Sequence, residues 1–237
     1  MHLLIIDFET TGLDFEIDEV IEYGGVVWDT DRSIPLKIFG DFVEPKKLIP
    51  SEITKLTGIS QDDVDRYGRD PQEMMRDISN MVEKYRVKYF VAHNADFDRT
   101  FLEKYVNDKD SPNAYKAMLD IEWICTKKDI PFKDEMGRGE LLTMAAKHGF
   151  LNPFSHRACT DSLTAAKLLS FYTMDEIMKF RESPMLKVIS LAPFDQKDEV
   201  KSHGFYWNPT TKKWARELRE IVFDQEKSKW NFKYRID

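Results

Sequence analysis

Leu3-Leu4-Ile5-Ile6-Asp7-Phe8-Glu9-Thr10-Thr11-Gly12 is the stretch from which the fold is read. Four apolar residues running straight into two carboxylates describe a strand buried on both faces whose end opens onto a site. Side chains on a strand alternate, so Asp7 and Glu9 point to one side and Phe8 to the other. Two hard oxygen ligands converge there. Alone, the pair reads first as a solvated strand terminus, and its meaning depends on what the rest of the chain brings to it.

The chain has 237 residues, enough for one domain of ordinary size with a small appendage. Hydrophobic residues make up 42% and charged residues 32%, the balance of a globular protein and not of a disordered one. The apolar run at the N-terminus ends at Asp7, too short for a signal-peptide core or a membrane span. No membrane partner is expected. Cys125 and Cys159 lie far apart without CxxC spacing, which argues against a disulfide framework or a zinc site and for a reducing, cytoplasmic setting. The net charge of −7 is unevenly spread. Met185 to Asp237 carries eleven Lys and Arg against eight Asp and Glu, leaving twenty-four against thirty-four in the rest. With Ser183-Pro184 near the change of sign, the expected domains are residues 1–182 and 185–237.

In chain order, Val20 to Trp28 is rich in β-formers and Leu36 to Val43 alternates, so with Leu3 to Ile6 they form an antiparallel meander. Ser51 is read as the cap of a short helix over Glu52 to Leu56, ended at Gly58. Asp70-Pro71 opens a longer helix whose Met74, Met75, Ile78 and Val82 form a core stripe. Val87 to Ala92 and Ile121 to Thr126 read as further strands, with Cys125 a small buried hydrophobe. From the fourth strand onward strands and helices alternate, which favours parallel additions to the meander and a mixed α/β sheet. Glu140 to His148 reads as a short helix with Leu141, Leu142, Met144 and Ala145 on its apolar side, and His148 as its dipole cap.

Two further stretches carry acid onto buried faces. If residues 96–106 are helical, Phe97, Phe101, Leu102, Tyr105 and Val106 form one arc with Asp98 in its middle, while Asp96 falls outside it and reads as a helix N-cap. A carboxylate on a buried stripe is costly unless paired, neutralised or bound to a metal. His93 and Asn94 either orient the site or touch substrate, or they make strand-end hydrogen bonds. In His156-Arg157-Ala158-Cys159-Thr160-Asp161, leading into a helix over Ser162 to Tyr172, Asp161 shares a face with Ala158, Ala165, Leu168 and Leu169. His156 sits in the preceding loop, and imidazole is the side chain best suited to take a proton near neutral pH.

Asp7-Phe8-Glu9-Thr10-Thr11-Gly12, His93-Asn94-Ala95-x-Phe97-Asp98 and His156-x-Ala158-x-x-Asp161 resemble the three exonuclease motifs of the DEDDh (DnaQ-like) family, in the family's order and over roughly residues 1 to 180. Val91 to Asn94 with Phe97-Asp98-Arg99, followed by Glu122 to Thr126, is most similar to the exonuclease X branch. The resemblance implies an RNase H-like mixed five-stranded sheet flanked by helices. It also implies a 3′–5′ exonuclease with Asp7, Glu9, Asp98 and Asp161 as metal ligands and His156 as general base. Two ions about 3.5–4 Å apart suit phosphodiester hydrolysis, and carboxylates without sulfur suit Mg²⁺ or Mn²⁺. Asp7 is then expected to bridge both ions, Glu9 and Asp161 to complete the water-activating one, and Asp98 to support the other. Thr10, Thr11, Gly12 and Leu13, with His93, Asn94 and Phe97, are the expected substrate contacts. Gly12 would permit close backbone approach, and Leu13 either wedges against a base or packs on its own loop.

Gly204-Phe205-x-Trp207-Asn208-Pro209-x-x-Lys212-x-Trp214 resembles small α+β modules found behind nuclease domains. Leu186 to Leu191 reads as a strand, Asp195 to Gly204 as a short helix, and Phe205 to Trp214 as a hairpin turning at Asn208-Pro209. Phe205, Tyr206, Trp207, Trp214, Lys212, Lys213 and Arg216 form either a stacking and phosphate-contact surface or, for about half the aromatics, the module's core. Three functions fit the sequence: a DNA 3′–5′ exonuclease releasing nucleoside 5′-monophosphates in replication or repair, an RNA-trimming exonuclease, and a replication-accessory binding module with weak nuclease activity. A replication or repair protein partner is compatible with all three, and oligomeric state is not encoded in any motif.

Overall fold

Five strands, β1 (His2–Thr10), β2 (Val20–Asp29), β3 (Ile34–Phe42), β4 (Tyr89–Ala92) and β5 (Trp123–Cys125), form one sheet in the order β3-β2-β1-β4-β5. This is the computed structural model of residues 1–132 and 139–237. β3, β2 and β1 are antiparallel, and β4 and β5 join in parallel, as the meander followed by strand–helix alternation predicts. The architecture is the RNase H-like mixed sheet flanked by helices.

β1 runs further than its apolar core suggests. Pairing with β2 continues through Asp7↔Gly24 and Glu9↔Glu22, so the two carboxylates lie within the strand and not beyond its end. Pairing with β4 covers only Leu3 to Ile5. Past that point the Phe8 N–H donates instead to Asp98 Oδ1 at 3.1 Å. A short neighbour strand therefore opens the β4 side of β1 to an acidic side chain.

α1 (Ser51–Thr57) follows Pro50 and ends at Gly58 in the left-handed region. Ser51 is thus the first helical residue and not the cap, because the extended Pro50 takes that position. α2 (Gln61–Tyr67) has no counterpart in the sequence reading, although Ser60 and Asp63 make a reciprocal capping box at its start. α3 (Pro71–Tyr85), capped by Asp70, buries Met74, Met75 and Ile78 against the sheet core with Phe90, Phe101 and Tyr23. α4 (Ala95–Val106) is entered through Asn94 in the left-handed region, so Asp96 lies inside the first turn and pairs with Lys128 in place of the expected capping role.

α5 (Leu141–Lys147) buries Met144 and Ala145 but leaves Leu142 exposed. His148 closes it, with Nδ1 2.7 Å from the Met144 carbonyl and Nε2 2.7 Å from the Tyr172 hydroxyl. α6 (Ala158–Leu169) starts a turn earlier than expected and stops short of Tyr172, which puts Asp161 in its first turn. α7 (Met174–Glu182) follows. No described helix is long and apolar enough to cross a membrane.

The chain divides within α7 into two compact units, Met1–Ile177 and Met178–Asp237. In the second, β6 (Met185–Ser190), α8 (Lys197–Ser202), β7 (Tyr206–Asn208), β8 (Lys213–Arg219), α9 (Glu220–Glu226) and β9 (Tyr234–Ile236) build an antiparallel sheet in the order β7-β8-β6-β9. The hairpin turn is held by Asn208 Oδ1, which accepts from the Thr210 and Thr211 N–H groups at 3.0 Å each. α9 and β9 escaped the sequence reading, being only seven and three residues long, too short for a period to show. The core joins Val188, Val200, Phe205, Leu218, Phe223, Trp230 and Phe232. Trp214 packs against it, whereas Tyr206 and Trp207 are exposed. Arg216 is no free phosphate contact: it pairs with the buried Glu226.

Candidate active site

Asp7 and Glu9 face α6 because of what stands across from them on β2. Opposite Asp7 is Gly24, where a Cβ would lie 2.2 Å from the Ala158 carbonyl carbon and 2.2 Å from the Cys159 nitrogen. Only glycine lets the first turn of α6 lie directly on the strand. Ser162 Oγ then donates to the Gly24 carbonyl at 2.9 Å. This seats Asp161 over the acidic face of β1.

His156, two residues before α6, stands at φ +61°, a left-handed value uncommon for residues other than glycine but one that His adopts more often than most. Its backbone N–H donates to Asp161 Oδ2 at 2.9 Å, and the Asn152 amide donates to Asp161 Oδ1. The loop before α6 is thus wrapped around the carboxylate that follows it. Ligating atoms of Glu9, His156 and Asp161 all lie within 4.8 Å of one another. Asp98, on the first turn of α4, is 2% exposed and reaches β1 through Phe8. Asp7 stands half-buried between them, with Asp98 and Glu9 the strongest charges acting on it.

The electrostatics follow from this crowding. Burial, then Asp98, Glu9, Asp161 and Glu22, hold the Asp7 carboxyl well above the ordinary carboxylate range. Glu9 is pushed up to about 8 by burial and then by Asp161, Glu22 and Asp98, against the opposing Arg157. Asp98 is pushed up to about 8 by burial, against the Phe8 N–H. Burial also raises Asp161, opposed by the His156 N–H and the Asn152 amide. Four carboxyls whose pKa values are all raised by burial, three of them also by neighbouring acids, call for positive charge. Their donor set of hard oxygens without thiolate fits Mg²⁺ or Mn²⁺, and a ring nitrogen stands beside it.

The remaining expected contacts are placed as follows. Thr10 and Thr11 are buried, and Thr11 Oγ1 donates to Asp18 Oδ1 at 3.0 Å. Gly12 has a local reason: a Cβ there would meet the Asp18 carboxylate oxygen at 2.3 Å. The close approach at Gly12 is therefore to Asp18, which itself pairs with Lys47. Leu13 is 85% exposed, so it does not pack on its own loop. His93 makes the strand-end bonds, with Nδ1 2.8 Å from Thr126 Oγ1 and Nε2 3.0 Å from the Gly139 carbonyl, and burial lowers its pKa. Asn94 is exposed and caps nothing with its side chain, while Phe97 packs on Phe101 with ring centroids 4.9 Å apart.

Sequence reasoning missed Glu22, Arg157, Asn152 and Asp18. Asn152 and Asp18 gave no signal, since a polar residue in a loop is ordinary. Glu22 did give one: a charge in the middle of a strand buried along its whole length has to be answered somewhere.

The chain matches the RNase_T family of exonucleases over residues 4–169. It is 30% identical over 239 residues to DNA polymerase III PolC-type of Mycoplasmopsis pulmonis, covering 99% of this chain and 15% of that protein. It is 27% identical over 168 residues to the 3′-5′ exonuclease DinG of Staphylococcus aureus, covering 70% of this chain and 17% of that protein. The chain therefore spans about a sixth of the length of these relatives. Among solved structures, the nuclease domain of 3′hExo, a DEDDh family member bound to rAMP, superposes with a TM-score of 0.59 at 24% identity, covering 72% of this chain and 90% of that one. None of these three is an exonuclease X, so the expected placement beside that branch rests on the motif residues alone.

Proposed function

The chain belongs to the RNase_T family of exonucleases, and from that premise we propose that it is a metal-dependent 3′–5′ exonuclease of the DEDDh type that hydrolyses DNA phosphodiester bonds and releases nucleoside 5′-monophosphates. The observation that carries this reading is the convergence of Asp7, Glu9, Asp98 and Asp161 from one strand and two helices, with their carboxyl pKa values raised and His156 beside them.

In this reading Asp7, Glu9, Asp98 and Asp161 would hold divalent metal, with Asp7 the ligand that stands among the other three. Bound there, Mg²⁺ or Mn²⁺ supplies activation of the attacking water and screening of the leaving 3′ oxygen. His156, exposed at the mouth of the site, takes the proton from that water. Leu13 projects from the loop after β1, where an apolar side chain separates the terminal base from its neighbour. Thr10 to Gly12, Asn94 and Phe97 line the path of the terminal nucleotide, and His93 holds the loop after β4. DNA is the preferred substrate because the PolC-type and DinG relatives carry their matching segments in a DNA polymerase and a 3′-5′ exonuclease. RNA trimming is the second reading, favoured by the rAMP bound to the similar 3′hExo domain. The second unit, with exposed Tyr206 and Trp207 near Lys212 and Lys213, serves as a weak nucleic-acid holding surface or a docking surface for a replication or repair protein.

The test is a degradation assay on 3′- and 5′-labelled DNA and RNA, with and without Mg²⁺, for the wild type and Asp7→Ala. Mononucleotide release from DNA 3′ ends that needs Mg²⁺ and Asp7 is the expected result. Release from RNA alone would move the substrate, and undiminished activity of Asp7→Ala would end the mechanism.

A further inference from the structure

Glu22 is 6% exposed and stands beside Glu9 on the acidic face, yet it is bound quite differently. Its carboxylate accepts from Arg157 Nε at 3.0 and 3.1 Å and from Arg157 Nη2 at 2.6 Å. It also accepts from the Ala158 N–H at 2.8 Å, one of the donors left free at the start of α6. Arg157 in turn lies over the Phe42 ring at 5.4 Å, and Phe42 is the β3 residue paired with Glu22. One buried carboxylate thus grips both the side chain before α6 and the first backbone donor of α6. These two residues lie between His156 and Asp161 in sequence. With Gly24 setting the depth at which α6 sits, Glu22 sets its rotation and its distance along the strand.

We propose that Glu22, with Arg157, is a positioning residue for the hydrolytic site: it fixes where His156 and Asp161 stand relative to Glu9 and thereby the strength of metal binding and the rate of the chemical step. The inference rests on the metal-dependent reading above. Several facts separate it from ordinary fold stabilisation. Glu22 stands directly across from Glu9 on the neighbouring strand, and what it holds are the residues between His156 and Asp161. Arg157 is held along its Nε–Nη2 edge by Glu22 and on one face by Phe42, which ties it to the sheet. Residues that orient a metal ligand from behind are ordinarily worth about 10- to 100-fold in metal affinity or activity.

The experiment compares the full chain carrying Glu22→Ala, Glu22→Gln, Arg157→Lys or Asp7→Asn. Each is checked for folding by circular dichroism and titrated with Mn²⁺ by calorimetry in the absence of DNA. Each is then assayed for kcat and KM on a labelled oligonucleotide. Glu22→Ala is expected to weaken Mn²⁺ binding about tenfold and lower kcat about 10- to 100-fold, with KM changed less than about threefold. Glu22→Gln keeps an acceptor for the Ala158 N–H but loses the charged fork to Arg157, and is expected to fall between Glu22→Ala and the wild type, about three- to tenfold below the wild type in Mn²⁺ affinity and kcat; it decides the matter if Glu22→Ala does not fold. Arg157→Lys loses the fork and is expected to follow Glu22→Gln. Folded Glu22 variants that bind Mn²⁺ and turn over like the wild type would overturn the proposal. So would an Arg157→Lys defect confined to KM, which would assign the guanidinium to a substrate phosphate. Asp7→Asn separates the two readings: if it still binds Mn²⁺ fully, the metal-dependent reading fails, whatever the Glu22 variants do.

Discussion

Asp98 in the first unit and Glu226 in the second are both almost wholly buried, and their surroundings are opposite. Glu226 is met by both terminal nitrogens of Arg216, a guanidinium fork on a facing strand. Asp98 is met by the backbone N–H groups of Phe8 and of Asp98 itself, and its carboxyl rises to about 8. Where this protein buries an acid for the sake of folding, it places a cation against it. The acids of the candidate site face one another instead, which costs stability and is repaid only when positive charge arrives from outside. Glu22 is answered by Arg157 and the α6 backbone although it stands among the site acids, and through those two partners it holds the start of α6 beside them.

Breaking that contrast should give graded effects. Asp7→Asn removes the carboxylate under the greatest like-charge pressure, and we expect DNA 3′-end hydrolysis to fall on the order of 10³-fold, measured by mononucleotide release. The same change should raise the melting temperature of the metal-free protein, since a costly buried acid has gone. Glu226→Ala should act the other way, destabilising the second unit by about 3–5 kcal/mol because Arg216 loses its partner, as read by urea denaturation.

The pH dependence tests the contrast without mutation. Glu9 and Asp98 have folded-state pKa values raised to about 8. Protons on them favour the folded state, so their contribution is fully present below the unfolded range near ~4 and is lost as pH rises through about 8. Metal-free protein should therefore melt at progressively lower temperature from acid towards pH 8. Saturating Mg²⁺ should remove most of that slope. A melting temperature flat over this range in EDTA would contradict the assigned crowding.

Smaller effects are expected at the periphery. Leu13→Ala should raise KM for a DNA 3′ end about tenfold with little change in kcat, if its exposed side chain is buried by a base. Replacing both Lys212 and Lys213 by alanine should weaken binding of long DNA only a few-fold and reduce its salt slope by about 2. An unchanged slope would leave the second unit to a protein partner.

The strands and acidic faces were legible because their signals are periodic. Asp98 is wrong for its stripe by position alone, and Leu3 to Ile6 can be nothing but a buried strand. Caps were less legible, as Ser51 and Asp96 demonstrate. A small polar residue near a helix start has several places to stand, and the backbone of Pro50 or Asn94 chooses among them. Gly12 shows a related limit. Its need for space was readable, but the neighbour requiring it, Asp18, was not.

By itself the sequence determined the meander, the parallel additions and the three acidic stretches, since each is set by side-chain spacing along one element. Only the tertiary structure decided which acids are answered. Glu22 and Arg157 are 135 residues apart, and nothing local to either predicts the pair. The same holds for Asp7 and Glu9 at the start. Alternation puts them on one side of a strand, but whether that side meets water, a cation or more acid depends on Gly24 admitting α6 and on β4 ending early enough to admit Asp98. Electrostatic energy depends on distance through space, and distance through space is what a chain acquires only by folding.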